Sequence, residues 1–405
     1  MTGIEHVINP PQATSGAAAD RLRFAIIALI AFLTLVDLFA AQAILPSLVQ
    51  KFQATPAEMG FAVNASTFGM AIAGLGIAFF GREIDRRNGI WTSLALLSIP
   101  TTLLAFTDDL TIFAILRVAQ GLCMSAAFTL TMAYLSEHFS PAQATGALAA
   151  YVTGNVASNF FGRILSAAVA GVGGLQINFL TFAALNLAGA LLVWLALEKT
   201  SGMMRSSDDG TFHMRRWTYH FADGELRRAF ATGFLILFVF IGTFTYVNFR
   251  LIDLGVTPMM LGLVYLVFLP SMLTTPLAGK IAAGIGVHRA IVWTLALAIL
   301  GLLALLSSHL AVVLTGLAFV AVGTFMAQAI ATGLVGRRAV TDKAGASGIY
   351  LASYYAGGLV GSFVLGQVYD RLGWNVTVAA LAAALGCAIL VTSLRPGIRQ
   401  VRKDA

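Results

Sequence analysis

Charged residues are scarce in this sequence. Asp, Glu, Lys and Arg make up 11% of the 405 residues, whereas an ordinary soluble domain has about 25%. Apolar residues make up 58% of the chain, and its mean hydropathy is +0.85. A soluble protein with so few charges would lack the polar groups that cover a surface in water. The composition therefore excludes an ordinary soluble domain and predicts a protein embedded in a membrane.

Cysteine and histidine are also rare. The two cysteines, Cys123 and Cys387, lie far apart within apolar runs, and the six histidines fall in predicted loops or at the ends of such runs. This pattern has neither the spacing of metal ligands nor that of a disulfide framework. It also lacks a nucleophile paired with a base, and the loop that holds nucleotide phosphates. We therefore expect no enzyme, no cofactor and no metal; a membrane-embedded enzyme and a receptor or scaffold are the rival interpretations.

The positive charge is spread along the chain. The formal net charge is +7, but the basic residues stand between apolar runs and form no single basic segment. A protein that binds nucleic acid gathers its positive charge on one surface. The distribution therefore indicates membrane topology, and we expect no nucleic-acid partner.

The apolar runs predict twelve membrane-spanning helices. A helix needs about 20 apolar residues to cross the hydrocarbon core of a bilayer. Twelve runs of suitable length are present, and we number them spans 1 to 12. Their predicted ranges are 23–47, 58–80, 90–107, 110–136, 143–171, 175–197, 229–250, 256–280, 288–307, 309–336, 344–368 and 374–394. The first run is too long for the apolar part of a signal peptide, so we expect it to remain as a span.

Lysine and arginine are distributed unevenly between the predicted loops. If the N-terminus lies inside, the outer segments hold only Lys51, Arg250 and Arg371 of the 25 basic residues. Two more, Arg117 and Arg163, lie within spans, and the other 20 fall in inner segments. Because basic loops are retained on the cytoplasmic side, this bias predicts that both termini are cytoplasmic.

The longest predicted loop divides the chain into two halves of six spans. The predicted domains are a cytoplasmic N-terminal tail (1–22), an N-terminal bundle (23–197), a cytoplasmic linker (198–228), a C-terminal bundle (229–394) and a cytoplasmic C-terminal tail (395–405). The halves also echo each other, because similar glycine-bounded segments follow span 2 and span 8, at 81–89 and 279–286. An internal duplication of this kind is typical of secondary transporters.

The segment after span 2 resembles the signature loop of the major facilitator superfamily. It has Gly81, the acid Asp85, the basic Arg86 and a closing Gly89, which comes one position late. The likeness runs from about residue 22 to 394 and implies an all-α fold of twelve transmembrane helices in two six-helix halves. It also implies alternating access, a monomer, and a place in the bacterial inner membrane. The cytoplasmic gate predicted on this basis consists of Gly81, Asp85, Arg86, Gly89 and Gly279; the alternative is that these charges only set the topology.

Span 4 resembles one branch of that superfamily. Its Arg117, Gln120 and Gly121 match the Arg-x-x-Gln-Gly motif of drug:proton antiporters. The corresponding motif of span 5 is degenerate, since Asn159 and Arg163 stand where small residues or proline are expected. The stretch 348–361 is similar to a bacterial efflux-permease subgroup. The resemblance implies proton-coupled efflux of a small amphiphilic or anionic organic molecule, and proton-coupled uptake of a small metabolite is the alternative.

One acid lies deep within a predicted span. This is Asp37 in span 1, and Arg117 and Arg163 lie at similar depth in spans 4 and 5. Charges inside a membrane are costly and usually functional. We predict that Asp37 and Arg117 couple transport to protons; the alternative is that Asp37 forms a permanent buried ion pair that locks spans 1 and 4 together. Two arginines against one acid leave a positive charge that suits an anionic substrate.

Polar and aromatic residues within the spans predict a substrate cavity. The predicted lining is Gln42, Gln120, Asn159, Arg163, Tyr246, Asn248, Tyr265, Gln328, Tyr350 and Tyr354. Each of these residues, taken alone, is also compatible with simple packing. Glycines in spans 2 and 11 form small-residue faces, which predict either contact between the halves or tight packing within each half.

Overall fold

A computed structural model of the chain describes residues 14–80, 84–139, 141–198, 220–257, 260–339 and 343–394. All regular secondary structure in these residues is helical. Gly81, most of the predicted linker, residues 1–13 of the predicted N-terminal tail and the whole predicted C-terminal tail lie outside them.

The N-terminal half contains spans 1 to 6. Its helices are Thr14–Ala43 (span 1), Leu45–Phe52, Pro56–Phe80 (span 2), Arg86–Leu104 (span 3), Leu110–His138 (span 4) and Pro141–Ala196 (spans 5 and 6). The last helix is broken at Gly174, whose φ of 77° is strained for any residue with a side chain. The break turns the chain back, so that 141–173 and 175–196 form two spans.

The C-terminal half repeats this arrangement. Its helices are Gly224–Asp253 (span 7), a broken run from Leu261 to Ile285 (span 8), Val287–Ala304 (span 9), Leu310–Arg338 (span 10) and Lys343–Ser393 (spans 11 and 12). Gly373, with a φ of 77°, breaks the last helix just as Gly174 breaks its counterpart. Span 8 alternates between α and 3₁₀ turns around Pro270 and Pro276, which lack a backbone N–H.

These helices confirm the prediction of twelve spans. Nine helices among the described residues are long and apolar enough to cross a membrane. Two of them measure 47 and 49 residues, about twice the length that one crossing needs, and each is broken at a glycine into two spans. Arg86–Leu104, which begins with two arginines, completes the set.

Span 1 ends earlier than the apolar run suggests. The helix stops at Ala43, and a separate helix, Leu45–Phe52, begins with Pro46 in its first turn. Proline fits the first turn of a helix, where a backbone N–H has no partner, but not its interior. Leu45, Pro46 and Leu48 of this short helix are buried at one end of the bundle.

Glycines bring helices into backbone contact within each half. A Cβ on Gly69 would stand 2.0 Å from the Val118 carbonyl oxygen of span 4, and one on Gly357 of span 11 would stand 2.0 Å from the Phe234 carbonyl oxygen of span 7. These glycines therefore pack within their own half. Spans 2 and 11 also meet across the halves, where the rings of Phe61 and Phe363 are 5.7 Å apart and a Cβ on Gly366 would stand 3.0 Å from Ala57.

The two halves are joined by polar contacts at one end. Three hydrogen bonds cross between them in the described part of the chain: Ala57 N to Asp370 Oδ2 (3.2 Å), Asn64 Nδ2 to Thr245 Oγ1 (3.1 Å) and Asn248 Nδ2 to the Gln42 carbonyl oxygen (3.0 Å). All three lie towards the end that carries the loops around 53–55 and 254–257. The distribution of basic residues predicts that this end is the outer one, and we call it the outer end.

The contact between spans 2 and 4 predicts a stability difference. A Cβ on Gly121 would stand 1.9 Å from the Ser66 carbonyl oxygen, whereas one on Gly76 would meet no atom within 4 Å. We expect Gly121→Ala to lower the unfolding temperature of the detergent-solubilised protein, through overpacking that costs about 1–3 kcal/mol. Gly76→Ala is the matched control and should melt like the unmodified chain. Unfolding temperatures can be measured by tryptophan fluorescence, and equal values for the two variants would contradict this packing.

Candidate functional site

The Asp37 carboxylate is enclosed by uncharged donors from three other spans. Its side chain is 4% exposed. Oδ2 accepts hydrogen bonds from Thr101 Oγ1 in span 3 (2.9 Å), Gln120 Nε2 in span 4 (3.4 Å) and Asn186 Nδ2 in span 6 (2.6 Å). We call Asp37, Thr101, Gln120, Asn186 and Arg117 the Asp37 cluster. It gathers four of the six spans of the N-terminal half around one carboxyl group.

Thr101 allows the cluster to accommodate both protonation states of Asp37. Its single hydroxyl hydrogen has two acceptors in reach, Asp37 Oδ2 and the Leu97 carbonyl oxygen at 2.8 Å. With a carboxylate, the hydroxyl donates to Asp37. With a protonated acid, it can turn to Leu97 and accept from the acid instead. Gln120 Nε2 and Asn186 Nδ2 lie 2.7 and 3.1 Å from the same hydroxyl oxygen, so these two amides have to redirect their N–H groups as well.

Arg117 binds backbone and neutral side chains instead of the carboxylate. Its guanidinium is 1% exposed and makes five hydrogen bonds. The acceptors are the carbonyl oxygens of Val63 (2.8 Å), Asp37 (3.2 Å) and Leu38 (3.1 Å), with Gln120 Oε1 (2.7 Å) and Ser66 Oγ (3.1 Å). No lysine or arginine nitrogen of the described residues lies within 4 Å of the Asp37 carboxylate. Arg117 therefore ties span 4 to spans 1 and 2 without a direct ion pair.

Arg163 lies in a second cluster, between the two halves. Its side chain is fully buried, and its Nη2 donates to Gln42 Oε1 at 2.6 Å. Its Nε and Nη1 make no hydrogen bond. The guanidinium carbon lies close to four ring centroids: Phe39 (5.1 Å), Phe244 (5.5 Å), Tyr265 (4.5 Å) and Phe268 (5.1 Å). Three of these rings belong to the C-terminal half.

A chain of amides continues from Arg163 into the C-terminal half. Gln42 Nε2 donates to Asn64 Oδ1 (2.6 Å), and Asn64 in turn donates to Thr245. Asn248 donates to the Gln42 carbonyl oxygen and accepts from the Tyr265 hydroxyl at 2.7 Å. We call Arg163, the four rings around it, Gln42, Asn64, Thr245 and Asn248 the Arg163 cluster. It includes all four partners of two of the hydrogen bonds between the halves, Asn64 to Thr245 and Asn248 to Gln42, and lies towards the outer end.

The other predicted cavity residues lie in different places. Tyr246 donates to the Ser362 carbonyl oxygen (2.5 Å) and fills the contact between spans 2, 7 and 11. Tyr350 donates to Gln328 Oε1 (2.6 Å) and stacks on Tyr354 with centroids 6.3 Å apart, within the C-terminal half. Asn159 is buried one turn before Arg163, and its Oδ1 makes no hydrogen bond. The predicted lining therefore divides into separate groups.

The predicted gate residues make contacts within the N-terminal half. Asp85 caps span 3 by accepting from Asn88 N at 2.7 Å. Arg86 donates twice to Glu137 of span 4, at 2.9 and 3.0 Å. Gly89 packs against Leu130, whereas a Cβ on Gly279 would meet nothing within 4 Å. Gly81 lies outside the described residues, and the gate stays a prediction.

A similar ion pair joins two helix ends of the C-terminal half, at the end opposite the outer end. Arg338, at the end of span 10, donates to Asp223 at 2.9 Å and lies 3.3 Å from Glu225 at the start of span 7. Burial raises the pKa of Asp223, but hydrogen bonds from Arg338 and from two backbone N–H groups outweigh it and hold this pKa below its usual range. Each half therefore has a charged tie between helix ends that face away from the outer end.

Sequence reasoning missed several members of both clusters. Thr101 and Asn186 complete the Asp37 cluster, and Asn64 and Thr245 complete the chain from Arg163. These are neutral residues of types that occur in many membrane helices. The one signal available was an asparagine within an apolar run, and it does not show which span the side chain faces.

Comparisons with known proteins point to one family. The profile described as Major Facilitator Superfamily matches residues 27–350. The Inner membrane transport protein YnfM of Escherichia coli (strain K12) is 28% identical over 87% of this chain and 85% of that protein. The Uncharacterized MFS-type transporter YybF of Bacillus subtilis (strain 168) is 24% identical over 87% of this chain and 88% of that protein.

A solved structure with the same fold covers nearly the whole chain. It is the crystal structure of a bacterial homologue of the human lysosomal transporter Spinster, in an inward-facing and unoccupied conformation. The TM-score is 0.70 over 92% of this chain and 94% of that chain, at 13% identity. At this identity the likeness concerns the fold alone.

The geometry of the Asp37 cluster predicts that its two charged residues differ in their structural importance. Arg117→Lys replaces a planar group with five hydrogen bonds by a single ammonium, and each buried polar group left unsatisfied costs about 1–3 kcal/mol. We expect a clear fall in unfolding temperature. Asp37→Asn keeps an oxygen that accepts from the same neutral donors, so it should melt within a few degrees of the unmodified chain. The reverse order in thermal unfolding would contradict this description.

Proposed function

The chain belongs to the major facilitator superfamily, and from this premise we propose that it is a proton-coupled secondary transporter that exports a small amphiphilic or anionic organic molecule. That it is a membrane transporter follows from the family. The coupling ion, the direction and the substrate class are our proposal. So are its place in the bacterial inner membrane, its cytoplasmic termini and its function as a monomer.

The observation that carries the coupling proposal is the environment of the Asp37 carboxylate. A carboxylate in a low-dielectric interior is costly, and protonation removes that cost. Here the group has neutral donors that suit the charged form, and Thr101 can reorient to suit the neutral one. The Arg117 charge is close but is engaged with backbone carbonyls. This balance supports a group that gains and loses a proton without disrupting the bundle.

The contacts between the halves support alternating access. Within each half, glycines bring helix backbones together, and such packing moves as a rigid unit. Between the halves, the three hydrogen bonds of the described residues lie towards the outer end, beside the packing of spans 2 and 11. We infer that the halves rock about this interface and that the chain is closed at its outer end in this conformation.

Export is supported by the motif in span 4. Arg117 and Gln120 are the residues that resemble the antiporter motif, and both belong to the Asp37 cluster. In an antiporter, the substrate and the proton use the same pathway in opposite directions. The motif residues lie around Asp37, the acid that we propose carries the proton, and this supports a shared pathway.

Proton-coupled uptake is a second candidate, and Arg163 favours it. No carboxylate of the described residues lies within 4 Å of this buried cation. An anionic substrate would compensate that charge, and a proton on Asp37 would offset the charge that the anion brings. Anion and proton would then favour each other and travel together, as they do in a symporter.

Topology can be tested directly. We expect a fusion of alkaline phosphatase after Gly255, in the loop between spans 7 and 8, to be active, because the enzyme folds only outside the cytoplasm. A fusion after Leu394 should be inactive, and green fluorescent protein at the same position should fluoresce. The opposite pattern would contradict the inferred orientation.

The coupling role of Asp37 can be tested in everted vesicles. Respiration acidifies their interior, and a pH-sensitive dye reports the gradient. We expect a transported compound to dissipate the gradient with the unmodified protein and with Asp108→Asn, but not with Asp37→Asn. Asp108 is an exposed outer acid, 3.1 Å from Lys51, and serves as the matched control.

The way the compound is supplied separates the two directions. A compound added outside, at the cytoplasmic face, dissipates the gradient through an antiporter. A compound preloaded inside dissipates it through a symporter. A response that Asp37→Asn retains in both formats would reject the coupling role of Asp37.

A further inference from the structure

We propose that Arg163 binds the anionic group of the transported molecule, a carboxylate carried on a flat apolar body, and that Gln42 Oε1 lies where one carboxylate oxygen would bind. This inference rests on the proposed transport function and names the substrate class for it. The evidence comes from the hydrogen bonds, the charges and the rings around Arg163.

The hydrogen bonds of Arg163 are incomplete. Arg117 and Arg163 are equally buried in the same half, yet Arg117 makes five hydrogen bonds while Arg163 Nε and Nη1 make none. A buried guanidinium is normally satisfied, because each unpaired N–H keeps its desolvation cost. Two unused donors on one enclosed side chain mark a place for an acceptor from elsewhere.

The charge of Arg163 also has no acidic partner among the described residues, and the neighbour that interacts with it through a hydroxyl is Tyr265. The deepest acid, Asp37, is on span 1 with Gln42 but is bonded towards spans 3, 4 and 6. The four rings around the guanidinium compensate its charge only in part. A carboxylate on the substrate would supply both the negative charge and the missing acceptors.

The geometry of a carboxylate suits this position. Arg163 Nη2 already donates to one amide oxygen, Gln42 Oε1. A carboxylate in its place would accept from Nη2 and from the neighbouring Nε together, in the two-bond arrangement that arginine favours.

The rings specify the rest of the substrate. Phe39 comes from the N-terminal half, and Phe244, Tyr265 and Phe268 come from the C-terminal half. Aromatic faces pack well against flat apolar groups. The site would therefore contact the substrate from both halves at once, as alternating access requires.

Displacing Gln42 would connect binding to movement. Gln42 links Arg163 to Asn64 through its side chain and to Asn248 through its carbonyl oxygen. A substrate carboxylate that takes Arg163 from Gln42 removes one end of this chain. The cross-half contacts at the outer end would then lose support, so that binding favours opening of that end.

Thermal unfolding of the purified protein with matched probes tests the proposal. The probes are benzoate, 2-naphthoate and decanoate, each compared with its neutral amide. We expect a carboxylate to raise the unfolding temperature of the unmodified chain and of Asp108→Asn, while its amide does not. Arg163→Gln should abolish the shift. Arg163→Lys keeps the charge but not the two-bond geometry, so it should need at least a tenfold higher carboxylate concentration for the same shift.

Gln42→Ala gives a result that a purely structural role would not. Because the competing amide oxygen is removed, the same rise in unfolding temperature should occur at a carboxylate concentration about 5–10-fold lower. One net hydrogen bond corresponds to roughly that factor. The proposal is overturned if no carboxylate exceeds its amide, or if Arg163→Gln keeps the shift. Carboxylate binding without a proton response would reject coupling alone. A proton response to lipophilic cations without carboxylate binding would reject the role of Arg163 alone.

Discussion

Hydrocarbon offers no hydrogen bonds, so a charged side chain deep within a helical bundle must take its partners from the protein itself. This chain solves the problem in three ways. Asp37 has neutral donors, Arg117 has backbone carbonyls and neutral side chains, and Arg163 has one amide and four rings. The first two arrangements are satisfied within one half. The third is incomplete and spans both halves, which is why we propose it as the place where substrate binding acts on the contact between the halves.

The same constraint separates rigid parts from mobile ones. Within a half, helices approach until backbones touch, and Gly121 against Ser66 leaves no room for even a methyl group. Such contacts involve many atoms and do not shift gradually. Across the halves, hydrogen bonds such as Asn64 to Thr245 accompany apolar packing, in which Gly366 lies against Ala57. This packing is looser than that within a half, since a Cβ on Gly366 would stand 3.0 Å from Ala57 whereas one on Gly121 would stand 1.9 Å from a backbone oxygen.

Gln42 illustrates how one neutral residue can matter more than its type suggests. Its side chain contacts Arg163 and Asn64, and its carbonyl oxygen accepts from Asn248. The proposed proton site, Asp37, lies earlier in the same span, and the proposed anion site, Arg163, contacts Gln42 from span 5. In our proposal, the Asp37 cluster changes its charge by rearranging hydrogen bonds within one half, whereas the Arg163 cluster exchanges a partner only if Gln42 moves. Protonation and movement of the halves are therefore assigned to different clusters.

The sequence by itself determined the number of spans, the duplication and the family, because each depends on hydrophobic run length and local motifs. It also located the three deep charges, since a charged residue inside an apolar run is visible without a structure. Only the tertiary structure decided which groups meet. It turned Arg117 towards backbone carbonyls, brought Thr101 and Asn186 to Asp37, and separated Tyr246 and Tyr350 from the Arg163 cluster. The physical reason is that run length fixes the depth of a residue along a helix, whereas its neighbours depend on how each helix is rotated about its own axis, and that rotation is set by packing against other spans.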